Sequence, residues 1–231
     1  MSHDTRPLPR QRATEIANAF LPERFWGSRW DYYYVREKLA SDPLYPGVLD
    51  ALRGSSAPLL DIGCGLGLLA HALHRDGQSL PYHGVDIDAA KIARAHSAAQ
   101  RAKLAQAEFA TADLAREIPR HAGSVAILDV LQYLSAEAQR RLLDAAIAML
   151  TPGARLVIRA ALDDDGRRGH YTRLGDRFAH LTGWMPSAPK HYPSTEALRA
   201  AFNNAALQAN FAPLFGRTPF NHWLIVAARP V

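Results

Sequence analysis

One cysteine, Cys64, stands in 231 residues, which rules out an intramolecular disulfide and a thiolate-held metal cluster. No apolar run approaches the roughly 18 residues that a membrane crossing requires. The opening MSHDTRPLPRQR carries no apolar stretch of the kind that marks an export leader. Together these point to a reducing cytoplasm and no membrane partner. Lysine and arginine outnumber the acids 27 to 22, but the arginines are scattered. A nucleic-acid partner would want a basic stripe, so the excess reads as solvated surface. No repeat, low-complexity tract or metal-ligand spacing is present. Asp163–Asp164–Asp165 reads as a solvated turn, and no metal is expected.

What is there is ordinary in composition, with 48% apolar and 21% charged residues, and long enough for one medium α/β domain with an additional segment. Its organising stretch is Leu59–Leu69, LLDIGCGLGLL. Leu59 and Leu60 end a buried strand that stops at Asp61. Gly63, Gly65 and Gly67 follow at alternate positions, and Leu66, Leu69, Ala70 and Leu73 then fall at helical spacing. A strand feeding a helix through such a loop presents backbone N–H groups to a ligand, with no Cβ in the way. The dinucleotide fingerprint wants a third glycine where Leu68 stands, and the phosphate loop wants a Gly-Lys-Ser/Thr ending that is absent.

Asp61-Ile62-Gly63-Cys64-Gly65-Leu66-Gly67 resembles motif I of the class I S-adenosylmethionine-dependent methyltransferases, in which an acid opens the glycine loop. S-adenosylmethionine carries an ammonium and a sulfonium but no phosphate, so a carboxylate at the strand tip suits it.

Before the motif, residues 1–57 are expected to form an N-terminal helical cap, with Ala13–Leu21 a short helix. Trp26, Trp30, Tyr33 and Tyr34 recur at i, i+4, i+7 and i+8 on a second helix that Ser41-Asp42-Pro43 ends. Either these aromatics fix the helix to the domain, or they lie over the pocket as a lid, facing an acceptor while Arg29 or Arg36 meets a carboxylate. A further helix is expected over Leu44–Arg53.

Residues 58–231 alternate strand and helix: strands at Tyr82–Asp86, Ala107–Thr111, Val125–Asp129 and Arg155–Ala160, with helices capped by Asp88 and Ser135 between them. The helix after Asp88 is expected to turn Ile92, Ala93 and Ala99 inward. A parallel sheet with helices on both faces follows. Residues 162–192 interrupt the pattern, with a helix expected over Tyr171–Leu181. Ser194 then caps a helix, and Phe211–Phe215 and His222–Ala228 form an antiparallel terminal pair. Such a hairpin on a mostly parallel, seven-stranded Rossmann-like sheet is what the resemblance implies.

Four acids fall at or just after strand ends: Asp61, Asp86, Asp113 and Asp129. Ligands of such sheets sit there. By resemblance, Asp61 and the backbone of Gly63 meet the amino-acid end of the cofactor, and Cys64, Gly65 and Gly67 belong to the same cofactor-binding loop. Asp86 takes the ribose, Ile87 packs on the adenine, and Asp113 and Leu114 read its edge. Asp129 and Val130 open motif IV, where Gln132 or Tyr133 touches donor or acceptor. Cys64 reads as packing rather than as a nucleophile. His170 and His191, flanked by Tyr171 and Tyr192, are the candidate general bases in the covering insertion. The wording FWGSRWDYYYVREKL resembles small bacterial methyltransferases of secondary-metabolite or aryl-pigment pathways. It agrees with an aromatic acceptor stacking on Trp26, Trp30 or the tyrosines.

The expectation is therefore a methyltransferase that uses S-adenosylmethionine, leaves S-adenosylhomocysteine, and acts as a monomer or homodimer on a small acceptor. The competing readings are an NAD(P)-dependent oxidoreductase and a non-catalytic S-adenosylmethionine-binding partner protein.

Overall fold

Seven strands form one sheet in the order β3-β2-β1-β4-β5-β7-β6 in the computed structural model, which describes residues 6–24, 26–114, 116–163, 191–214 and 221–230. β1 is Leu59–Ile62, β2 Tyr82–Asp86, β3 Ala107–Thr111, β4 Ser124–Leu128 and β5 Arg155–Ala161. These five run parallel. β6 (Gln208–Pro213) and β7 (His222–Ala228) pair antiparallel, and β7 slots between β6 and β5. The sheet thus has the expected Rossmann-like form. Strand order reverses between β1 and β4, which opens a crevice at the carboxyl ends of those two strands.

Helices cover both faces. One face carries α1 (Arg10–Ala17), α2 (Trp30–Ser41), α3 (Leu44–Leu52), α4 (Leu68–Arg75) and α5 (Ala89–Arg101). Ile16, Val35, Leu39, Val48, Leu52, Leu69 and Ile92 pack there with Leu59, Tyr82 and Phe109 in a single core. On the other face lie α6 (Ala136–Ala148) and α7 (Thr195–Asn204), whose Leu142, Leu143, Leu198 and Phe202 meet Leu60, Ile127 and Ile158. Strand alternation dictates this split, since successive side chains point to opposite faces. Asp88, Ser135 and Ser194 are the helix N-caps, each accepting from backbone N–H groups two or three residues on.

Several boundaries differ from the sequence reading. β1 continues through Asp61 to Ile62, and β4 stops at Leu128, so Asp129 lies just beyond it. α1 begins at Arg10, and its last turn, Asn18–Phe20, tightens to 3₁₀ before Pro22. α4 starts at Leu68, leaving Leu66 in the loop. Ala93 is exposed, and Ala95 and Ala98 take the inward positions. β6 starts three residues earlier than Phe211. The Tyr171–Leu181 helix falls outside the described residues.

α2 holds the largest departure. It begins at Trp30, with the Ser28 hydroxyl accepting from the Trp30 N–H, so Trp26 precedes the helix. Its buried face is Val35 and Leu39. Trp26, Trp30, Tyr33 and Tyr34 are 89%, 63%, 48% and 43% exposed, so all four stand at the protein surface. Among the described residues no helix is long and apolar enough to cross a membrane.

Candidate active site

The glycine bend lies where β1 meets α4. Gly63 has φ +76°, and a Cβ there would fall inside the van der Waals envelope of Val130 Cγ2. Gly67 is the α4 N-cap at φ +73°, and a Cβ there would meet Phe109 Cε1 at 2.5 Å. Both positions need glycine twice over, for backbone conformation and for space. Gly65 differs, since a Cβ there would meet nothing within 4 Å, so the bend is open on that side. Cys64 is buried and covers Gly84, whose Cβ would lie 2.8 Å from its Sγ. Burial, reinforced by Asp61 and Asp86, pushes the thiol far up, which leaves it inert packing.

The acids are staggered rather than level. Asp61 pairs in register with Gly84, two residues short of Asp86, so Asp61 sits deeper in the same face. It is 2% exposed; Oδ2 accepts from the Tyr82 hydroxyl at 2.5 Å, while Oδ1 has no hydrogen-bond partner among the described residues. Burial raises the Asp61 carboxyl to about 7, partly offset by the Tyr82 hydroxyl. Asp86 is half-buried at the rim. Its Oδ2 accepts from the Gly65 N–H and its Oδ1 from the Asp88 N–H, both at 2.9 Å, so it shapes the bend directly. Beside it Ile87 stands 68% exposed, an apolar surface on the crevice rim. Asp113 and Leu114 follow β3, where the Ala112 N–H extends the pairing to the Asp86 carbonyl.

On the β4 side, Asp129 has a left-handed φ of +60° and its Oδ2 lies 2.6 Å from Arg159 Nη1. The same Nη1 is 3.0 Å from Asp42 Oδ2, which Lys38 Nζ approaches to 2.7 Å, and Arg159 Nη2 donates to His222 Nδ1 at 2.7 Å. Burial alone would raise the Asp42 carboxyl, but Arg159 and Lys38 outweigh it and hold it well below the usual carboxylate range. Burial and then Arg159 lower His222 to about 4, so the ring is neutral and an acceptor at Nδ1. Asp129 is thus bound into a buried ionic network that the sequence reading did not contain.

Leu131–Tyr133 is a 3₁₀ turn with Gln132 buried. The His191 N–H donates to the Gln132 carbonyl at 3.2 Å. Gln139, unremarked in the sequence, donates from Nε2 to the carbonyls of Leu131 and His191, both at 2.8 Å. These bonds bring His191, Gln132 and Tyr133 together, with the His191 side chain exposed. His170 and Tyr171 lie outside the described residues. Arg36 pairs with Glu37 at 2.8 Å and lies over the Tyr32 and Tyr33 rings, so its charge is already engaged within the helix. Among the described residues no group of three or more His, Cys, Asp or Glu side chains could hold a metal. A shallow groove lined by His74, Gln78, Lys103 and Gln106 lies at the opposite, amino end of β2 and β3, away from all of these groups.

Residues 59–153, the span from β1 to the turn before β5, match the model of a methyltransferase domain. That span is similar to a methyltransferase domain. The chain is 32% identical over 104 residues to ubiquinone biosynthesis O-methyltransferases of Xylella fastidiosa, an alignment covering 45% of this chain and 42% of the relative. The match therefore spans about two fifths of the curated relatives' length. Among solved structures, an O-methyltransferase family protein from Burkholderia thailandensis superposes with a TM-score of 0.67 at 20% identity, covering 95% of this chain and 67% of that one. Magnesium protoporphyrin IX methyltransferase from Synechocystis, solved with bound SAH, gives 0.62 at 16% identity and covers 94% of each. At these identities the likeness is one of fold, and it extends over nearly the whole chain, N-terminal helices included.

Proposed function

We propose that this chain transfers a methyl group from S-adenosylmethionine to a hydroxyl oxygen of a small, aromatic acceptor. One observation carries the reading: a buried carboxylate oxygen, Asp61 Oδ1, has no partner among the described residues beneath an open glycine bend. A buried acceptor with no donor is costly, and an ammonium group is the complement that relieves it. The same place disfavours a dinucleotide, which would bring a pyrophosphate against the bend beside Asp61 and Asp86. Gly63, Gly65 and Asp61 would hold the amino-acid end, Asp86 the ribose, and Ile87, Asp113 and Leu114 the adenine. The curated relatives' O-methyltransferase name supports oxygen as the acceptor atom. The exposed Trp30, Tyr33 and Tyr34 support an aromatic acceptor, because they place aromatic surface outside the core.

When bound, S-adenosylmethionine supplies a methyl group already activated by a positively charged sulfur. The chain has then to aim the acceptor oxygen in line and keep water out. Residues 1–57 form the cap and 162–192 the cover in this reading. The hydroxyl proton passes to a base, for which His191 and Tyr133 beside Gln132, with His170, are the candidates.

Calorimetry against S-adenosylhomocysteine, S-adenosylmethionine, NAD and NADP tests the cofactor, and transfer of labelled methyl to phenols, carboxylates and amines tests the acceptor. Binding of the adenosyl ligands with label in a phenol is expected. Binding of only the nicotinamide cofactors would end the proposal. Tight adenosyl binding with no transfer to any acceptor would favour a non-catalytic partner protein.

Asp61 gives the site a pH dependence. Its folded carboxyl near 7 lies above its unfolded value of 3.8, so the ligand-free protein increasingly holds the neutral acid as pH falls below 7. An ammonium ligand favours the carboxylate, so affinity for S-adenosylhomocysteine is expected to weaken by up to about tenfold per pH unit from 7 to 5. In Asp61→Asn the profile should flatten. A wild-type dissociation constant that stays level across that range would show that Asp61 does not meet the ammonium.

A further inference from the structure

We infer that Arg159 is a positioning residue, which holds the end of β4 against the glycine bend and so sets the shape of the cofactor site from the acceptor side. The inference rests on the methyltransferase reading only for its affinity readout.

Arg159 is 4% exposed on β5, and its guanidinium binds partners from three separate parts of the chain. Nη1 is shared by Asp129 just past β4 and Asp42 between α2 and α3, and Nη2 is taken by His222 on β7. Lys38 on α2 completes the network through Asp42, and the buried Tyr45 ring lies on the same side of the sheet. The backbone of Arg159 also takes part, its carbonyl accepting from the Asp129 N–H at 2.9 Å. Asp129 is therefore gripped at both side chain and main chain, in a left-handed conformation that an L-residue adopts only at some cost. The next residue, Val130, is the one whose Cγ2 fills the space where Gly63 would carry a Cβ. Arg159, Asp129, Val130 and Gly63 thus form a contiguous line from the buried network to the bend.

The two arms of the guanidinium have different consequences. Asp42 and Lys38 join the network to α2 and α3, where they hold helices already fixed by Val35, Leu39 and Val48. Asp129 joins it to a strand end whose dihedral angles lie outside the ordinary range and whose neighbour packs on the bend. Breaking the Asp42 arm should cost stability. Breaking the Asp129 arm should cost the geometry of the site.

The test compares Asp42→Asn with Asp129→Ala and Asp129→Asn in the full chain, reading Tm and S-adenosylhomocysteine affinity together. Asp42→Asn is expected to lower Tm and leave the dissociation constant within twofold of wild type. Asp129→Ala should raise the dissociation constant at least tenfold. Asp129→Asn, which tolerates the left-handed conformation and still accepts from Nη1, should recover most of that loss. If Asp42→Asn does not fold, Lys38→Met replaces it. Parallel changes in Tm and affinity across both arms, or full affinity in Asp129→Ala, would overturn the inference. Should the wild type bind no adenosyl ligand, the functional reading fails separately, and amide exchange at Gly63 and Cys64 takes over as the readout. Asp129→Ala then has to speed it and Asp42→Asn leave it unchanged; equal rates in the two variants would count against Arg159.

Discussion

Gly63→Ala should abolish measurable S-adenosylhomocysteine binding while the sheet still forms. Two costs add at this position. An L-residue at φ +76° carries strain of about 1–3 kcal/mol. The new methyl also overlaps Val130 Cγ2, and overpacking of this kind costs about another 1–3 kcal/mol. The chain relieves both by moving the bend away from Val130, which withdraws the surface on which the ligand would lie. A fall in affinity on the order of a hundredfold or more follows. The double variant Gly63→Ala/Val130→Ala should regain part of the loss, because the overlap disappears while the strain remains. Calorimetry on the two variants checks this, and single-variant binding at wild-type strength would show that the bend is not the binding surface.

Asp86→Ala comes next in size. It removes the acceptor for two backbone N–H groups, those of Gly65 and Asp88, together with the proposed ribose contact. Losing hydrogen bonds to a charged group should weaken cofactor binding by about 1–3 kcal/mol, with a fall in Tm from the freed loop. The two contributions separate with an S-adenosylhomocysteine analogue lacking the ribose hydroxyls. That analogue should bind wild type weakly and lose little more on Asp86→Ala. An equal further loss for analogue and parent would assign Asp86 to loop shape alone.

The alternation of strands and helices, the caps at Asp88, Ser135 and Ser194, and the terminal hairpin were readable in sequence because each rests on local spacing or on one side chain meeting nearby backbone. The glycine bend was readable for the same reason. α2 shows where pattern reading fails. Its aromatics recur at helical spacing, which left both a stripe fixed to the domain and a lid open, and the stripe the core uses is the aliphatic pair Val35 and Leu39. Spacing identifies a face without saying whether that face meets protein or solvent. The ionic network was beyond reach for a different reason. Asp42 and Arg159 are 117 positions apart in sequence, and only the sheet order, with β7 inserted beside β5, brings His222 to them. Gln139 belongs with these, since its partners Leu131 and His191 become neighbours only in the folded chain.

The shared core of the N-terminal helices and the first three strands bears on how acceptor preference could be re-engineered. Because Ile16, Val35 and Leu39 interlock with Leu59, Tyr82 and Phe109, the first 57 residues do not behave as an interchangeable module. A chimera that imports another protein's leading segment would have to bring matching apolar contacts with it, or one face of the recipient sheet would lose part of its cover. Altering only the outward residues Trp30, Tyr33 and Tyr34 leaves that interlock untouched, and under the proposed function is the safer route to new acceptors.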